Sequence, residues 1–245
     1  MFALFDLPVS AAYHVVSLLA SGAATMFGEL GVPVAIVLFT AGIRLLLHPL
    51  ARAAVRGERA RAALAPQMRE LRKRYGGDPR RLNDEMAALY QRSGTSLAAG
   101  CLPMLLQLPF FTVMYRLFVS SSIAGAPNSL LGHTVFGARL DAHFLGLLHA
   151  QSFGVTGLVF LGLFTALATV AFFTIRWQAA RAGGTDTPTV PGAGLLRLLP
   201  YGTVLVAAAI PLAAGIYLLT STTWTAVERA LLHGEHADVA TTGSP

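Results

Sequence analysis

The sequence predicts an all-α, polytopic membrane protein whose core is five transmembrane helices and whose largest loop is a cytoplasmic helical hairpin. Three observations predict it. The 245 residues are 54% hydrophobic and only 12% charged, with a mean hydropathy of +0.60, too apolar for a soluble domain of this size. Nearly uncharged runs recur at 31–50, 102–122, 142–175 and 198–227, each able to cross a hydrocarbon core about 30 Å thick, which takes ~20 helical residues. Basic residues concentrate in one loop, and all but Lys73 of the 18 are Arg.

Taken in order, residues 1–30 form an extracytoplasmic segment, and 8–28, diluted by Ser, Gly and His, read as an amphipathic helix lying on the outer surface. The start carries no basic n-region and no cysteine for a lipid, so the first span is expected to insert itself and stay. Spans follow at 31–50, 102–122 and 154–176. The 38 residues from Leu195 to Leu232 make about 57 Å of helix at 1.5 Å per residue, too long for one crossing. Pro211 near their middle divides them into spans at 195–210 and 211–232.

Loops rich in Lys and Arg stay in the cytoplasm. Residues 52–92 carry eleven basic residues against five acids, a net +6 that equals the charge of the whole chain. That places segment 51–101 inside, the start outside, loop 123–153 outside, loop 177–194 inside and the tail 233–245 inside. Within the basic segment, Leu64, Met68, Leu71 and Tyr75 are spaced 4, 3, 4, and Leu82, Met86 and Leu89 are spaced 4, 3. Each arm of a hairpin would thus show one narrow apolar seam. Between the arms, Gly76 and Gly77 end the first, while Asp78 caps the second and Pro79 takes its first position.

Arg44 heads the candidates for chemistry. A charge central in a span costs roughly 2.5–3.5 kcal/mol on insertion scales, so it faces a partner, a water-filled cavity, or the headgroups by snorkelling. Thr40 lies one turn earlier on the same face and favours a polar cavity. Gln107, Thr165, Thr169 and Ser221–Thr222–Thr223 are the other polar residues at membrane depth, where a hydroxyl often bonds only its own helix. Arg116 lies toward the outer end of its span and reads as an interfacial anchor. Cys101 is the sole cysteine, which excludes an intramolecular disulfide and any zinc site of two or more thiolates. His133, His143 and His149 are spaced ten and six apart and match no metal-ligand pattern. No nucleophile elbow, phosphate-binding loop or His-Glu-x-x-His helix occurs, so nothing argues for an enzyme.

The stretches "IVLFTAGIRLLLHPL", "LAPQMRELRKRYGGDPRRLNDEMAALYQRSG" and "GCLPMLLQLPFFTVMYRLF", in that order, resemble the YidC/Oxa/Alb family of membrane protein insertases, in its short five-span bacterial form. The resemblance runs continuously from about Gly31 to Phe118, and "IPLAAGIYLLTSTTW" extends it to the closing helices. Ser96-Leu97 stands where the family usually has Asn-Pro before the Gly-Cys step, and no Lys or Arg follows Arg229.

The resemblance implies a five-helix bundle in a bacterial cell membrane, with a groove open to the cytoplasm and to lipid and closed outside. Arg44 is similar to the family's groove arginine, and Thr40, Gln107 and Tyr217 would line the same groove. Leu117 and Pro200 would take the contact roles on the helices along which substrates slide. The implied partners are newly made membrane proteins and the bilayer, with the ribosome and the general secretion channel as further candidates. The resemblance implies no cofactor and no direct nucleic-acid substrate. The rival reading is an anion channel or transporter using Arg44 as its selectivity charge. It needs a polar path through both leaflets, and the outer halves of the spans ("GVPVAIVL", "FGVTGLVFL", "AAAIPLAAG") are apolar. A third reading, a membrane-anchored RNA-binding hairpin, has only Tyr75 and Tyr90 for base stacking.

Overall fold

The structure, a computed structural model, describes residues 3–94, 112–123, 125–181 and 198–242, which are mostly helical with little strand. The chain forms two compact units, Met1–Leu45 with Phe111–Glu228 and Leu46–Phe110 with Arg229–Pro245.

The first unit opens on α1 (Ala3–Phe27), a short 3-10 turn (Gly28–Leu30) and α2 (Gly31–Leu46). Val9, Ala12, Val16 and Ala20, spaced 3, 4, 4 along α1, form a buried stripe in the core, while Leu7, Leu18 and Met26 are exposed. The run Asp6–Leu46 is one of two among the described residues that are long and apolar enough to cross a membrane; the other is Gly154–Ala180. The first holds 41 residues. At 1.5 Å per residue that is about 61 Å, twice one crossing, and the turn at Gly28 divides it. A Cβ on Gly31 would meet Ala24 backbone atoms at 2.9 Å, so only glycine lets the start of α2 pack this closely on α1.

Helix α5 spans 112–119 and buries Met114, Leu117 and Phe118. Two small antiparallel hairpins follow, β1 (Ser122–Ile123) with β2 (Ala126–Pro127) and β3 (Thr134–Val135) with β4 (Ala138–Arg139), then α6 (Phe144–Ala150). Asn128 organises this loop from a buried position. Its Nδ2 donates to the carbonyls of Leu117 at 2.7 Å and Ser120 at 3.0 Å, satisfying groups that the end of α5 leaves open, and its Oδ1 accepts from Leu130 N.

After α7 (Gly154–Arg181), the description resumes at a 3-10 turn (Leu199–Tyr201), α8 (Gly202–Ala209) and α9 (Leu212–Thr242). The chain breaks at Ile210, which is extended, and Pro211, which has no N–H to continue a ladder. The first open amides of α9 are taken up by the loop after α5: Leu212 N donates to Ala142 O at 2.9 Å and Ala213 N to Leu140 O at 3.0 Å. Helix α9 runs on past 232, where the sequence reading ends its last span, because it contains no proline and its late Gly234 costs only ~1 kcal/mol. A Cβ on Gly215 would meet Leu163 Cδ2 at 2.6 Å, so glycine here brings α9 close against α7. Val16, Ile36, Leu117, Phe118, Leu140, Phe160, Leu167 and Leu212 are fully enclosed, which ties α1, α2, α5, the loop between α5 and α6, α7 and α9 into one core.

The second unit contains α3 (His48–Tyr75) and α4 (Pro79–Arg92). Residues 48–50 begin α3: Leu47 separates it from α2, and Pro49 suits a first turn. Asp78 Oδ1 accepts from Arg80 N and Arg81 N, both at 3.1 Å, which caps α4. Leu64 and Tyr90 are buried, Met68, Leu71, Leu82, Met86 and Leu89 half-buried, and the Tyr90 hydroxyl donates to Met68 Sδ at 3.3 Å. Beyond Glu228, α9 belongs to this unit. Arg229 pairs with Glu58 at 2.9 Å and the Arg59 guanidinium donates to Leu232 O.

Candidate functional site

The most polar constellation in the first unit gathers around Arg44. Its guanidinium lies two residues before the end of α2, half-buried, and its Nη2 donates to the Ser221 hydroxyl on α9, 177 positions later in the chain. Ser221 is itself 6% exposed, and Tyr217 stands one turn earlier on the same helix. The Tyr217 ring sits 6.4 Å from that of Phe118, which supports it from α5. Glu228, further along the same helix, is 9% exposed.

The sequence places these groups together through helical spacing. Tyr217, Ser221, Thr225 and Glu228 are spaced 4, 4, 3 and fall on one stripe of α9. The Thr225 hydroxyl is occupied by the Ser221 carbonyl of its own helix at 2.9 Å. Thr40 shares the Arg44 side of α2 but is 2% exposed, and its hydroxyl donates to Ile36 O at 2.6 Å. Its polarity is therefore spent on its own backbone, and what it offers a cavity wall is small size.

Of the expected groove residues, the structure brings Arg44 and Tyr217 together; Gln107 lies outside the described residues. Leu117 has no exposed surface and its carbonyl accepts from Asn128, while Pro200 is half-buried in the 3-10 turn before α8. Sequence reasoning left Ser221 among several membrane-depth hydroxyls and passed over Glu228. The signal that finds both is the 4, 4, 3 stripe counted from Tyr217.

Chemically, the cluster presents one permanent cation with five donor N–H groups, of which Ser221 takes one, with further hydroxyls along the same stripe of α9. That is equipment for binding and screening charge. The indole N–H of Trp224 is also buried on α9, without an acceptor among the described residues. Among the described residues no three His, Cys, Asp or Glu side chains stand where they could hold a metal ion.

The hairpin unit carries a separate concavity of about 250 Å³ between α3 and α4. Glu70, Arg74, Glu85 and Arg92 charge its rim, with the seam residues Leu71 and Leu89 in its wall.

Residues 23–238 match the model of a protein family described as 60Kd inner membrane protein. Among individual proteins, the chain is similar to three described as membrane protein insertase YidC. That of Acidiphilium cryptum is 41% identical over 111 residues, 45% of this chain and 18% of that protein. That of Campylobacter jejuni is 35% identical over 112 residues, 45% of this chain and 21% of its own length. That of Granulibacter bethesdensis is 40% identical over 103 residues, 42% of this chain and 18% of its own length. The matched stretches thus amount to about a fifth of these relatives.

Proposed function

The chain belongs to the 60Kd inner membrane protein family, and on that premise we propose that it is a non-enzymatic membrane protein insertase working through a polar groove centred on Arg44. The observation that carries the reading is the hydrogen bond from Arg44 on α2 to the enclosed Ser221 on α9, one turn from Tyr217. A cation held at membrane depth draws in a polar or acidic segment of an incoming chain and shortens the low-dielectric path that remains. Apolar helices then leave sideways into lipid, where burial of their surface drives the step.

With the basic loop inside, a membrane potential positive outside assists each translocated acid by about 2.3 kcal/mol per 100 mV. The helical pair α3–α4 meets arriving chains or their carriers on the cytoplasmic side. Groove residues would include Thr40 and Gln107, Pro200 would lie along the substrate's path, and Leu117, which has no exposed surface, would meet a substrate only where the core opens. The outer side stays closed in this reading, and the pairing of Leu212 and Ala213 amides with outer-loop carbonyls supports closure there. A channel would need that pairing to open.

Purified chain reconstituted in liposomes should insert a small single-span substrate, and an impermeant thiol reagent should label a cysteine at the exposed residue 133 from outside but not one at residue 78, in a Cys101→Ser background. Liposomes that gain no inserted substrate would refute the function. Labelling at residue 78 in intact cells would refute the orientation.

A further inference from the structure

We propose that the hairpin β3–β4 is a lipid anchor: its tip, Phe136, lies in the bilayer interface where α7 begins and holds the loop after α5 against the start of α9. The inference rests on the chain being a membrane protein and not on insertase activity. The turn Phe136–Gly137 joins Val135 to Ala138, which are partners in the ladder. Both turn residues have positive φ, 50° and 79°. Two-residue hairpin turns of this kind favour Asn, Asp or Gly, which tolerate the left-handed region, whereas a bulky side chain there is strained. Phe136 is also 68% exposed, so neither backbone preference nor burial within the chain accounts for an aromatic ring at the tip. The base that carries it is firm, because Val135 and Ala138 are buried and Leu140 N donates to His133 O at 3.0 Å.

What adjoins the tip identifies its occupant. A Cβ on Gly137 would lie 3.7 Å from Val155 Cγ1, which puts the turn beside the first residues of α7. Helix α7 holds an apolar run long enough to cross a membrane, and Val155, Leu158 and Leu161, spaced 3 and 3, are exposed along it. In a chain that crosses a bilayer those side chains face lipid, and Phe136, next to Gly137, stands where that surface ends. Helix α6, which stops at Ala150 just before α7 starts at Gly154, repeats the arrangement. Its Phe144 and Leu147 pack against the core, while Leu145 and Leu148 are exposed. Aromatic rings settle at headgroup level, and an amphipathic helix there buries its apolar face at the headgroup–acyl boundary. The same loop supplies the Ala142 and Leu140 carbonyls to the amides of Leu212 and Ala213. A tip fixed in lipid therefore steadies the groups that cap the start of α9.

The test uses the full chain, in a Cys101→Ser background, in vesicles of phosphatidylcholine and phosphatidylglycerol. Oxygen and an aqueous nickel chelate are set at concentrations that relax a free nitroxide equally in buffer. A nitroxide on Phe136→Cys should then collide with oxygen, which concentrates in lipid, about threefold or more as often as with the chelate. Frequent collision with the chelate would put the tip in water, and protection from both reagents would put it under protein, such as a second copy. Either result overturns the proposal. A second measurement separates lipid contact from turn geometry. Phe136→Asn suits the turn and removes the apolar ring, whereas Phe136→Leu keeps an apolar side chain in the strained position. Held by lipid, the loop should respond to Phe136→Asn with amide exchange about threefold or more faster at Leu140, Leu212 and Ala213, and to Phe136→Leu with a change within about twofold. An Asn variant that exchanges as slowly as the parent, or a Leu variant that exchanges faster than the Asn variant, would make turn geometry decisive and overturn the anchor. Neither readout needs insertion, so a chain that inserts no substrate fails the insertase reading and leaves this test standing.

Discussion

Arg44 and Arg116 are the same residue in the same kind of apolar helix, and the structure treats them oppositely. Arg116 donates to Asp6 at 2.7 Å, a carboxylate at the start of α1, and the pair is open to solvent, with side chains 29% and 55% exposed. Arg44, also half-buried, donates to a hydroxyl. A guanidinium bonded to a carboxylate has its charge locally cancelled and serves to tie two helices together. A guanidinium bonded to a neutral hydroxyl keeps most of its field for something else. Partner chemistry, not the presence of arginine in a span, separates an anchor from a working charge.

The largest effect is expected where the two regions share a wall. Phe118 lies two residues beyond Arg116, is fully buried and packs against Tyr217 of the Arg44 cluster. Phe118→Ala should cost ~3–5 kcal/mol in detergent-solubilised protein, seen as a lower thermal midpoint. A loss below about 1 kcal/mol would mean that the two regions do not share a packed core.

Next comes Asn128, which holds the outer loop onto α5 near Arg116 through three hydrogen bonds. Asn128→Ala should cost ~1–3 kcal/mol by stranding buried carbonyls, and should speed amide exchange in residues 120–135 without changing discrimination among substrate tails. Changed discrimination would link the outer loop to the Arg44 site.

The anchor itself should matter less. Asp6→Asn breaks an exposed ion pair and should cost only ~0.2–1 kcal/mol, recovered when Asp6→Arg is combined with Arg116→Asp. Failure of the swapped pair to recover stability would give Arg116 a role beyond pairing.

Smallest is the loop pair Arg139–Asp141, with Nη2 to Oδ2 at 2.6 Å. The Arg139 hydrogen bond holds the Asp141 carboxyl below its ordinary range. Its contribution is therefore present at neutral pH and is lost as pH falls through that lowered range. Asp141→Asn should slightly flatten the acid limb of a stability profile, and an unaltered limb would leave the pair without effect.

Much of this contrast was legible in the sequence, and the limit has a physical cause. Composition and apolar runs suffice for a mostly helical chain, Asp78-Pro79 for the start of α4, and Pro211 for the break before α9, because each acts within a turn of itself. Arg44 is visible as a lone charge in an apolar run for the same reason. Its partner is not, since Ser221 lies 177 positions away and one of several hydroxyls had to be chosen by packing. Asp6 and Arg116, 110 positions apart, are likewise paired only by the fold. Thr40 shows the converse: its face was legible, but whether its hydroxyl faced a cavity or its own backbone was decided by 2% exposure against Ile36. Where α9 ends was not legible, because apolarity marks where a span stops, while helix propensity lets the helix continue into polar sequence.

The central claim is that Arg44, unlike Arg116, offers its charge to a passing chain. Insertion of matched substrates with zero, one and two tail acids should be measured in the parent, Arg44→Ala, Arg44→Lys and Arg116→Ala proteins. The account predicts that Arg44→Ala loses about tenfold or more on the two-acid substrate and little on the neutral one. Arg44→Lys should retain most activity, because it keeps the charge and loses only the planar fork. Arg116→Ala should leave the ratio among substrates unchanged. If Arg44→Ala folds normally and matches the parent on all three substrates, Arg44 is an anchor like Arg116 and the groove mechanism is wrong.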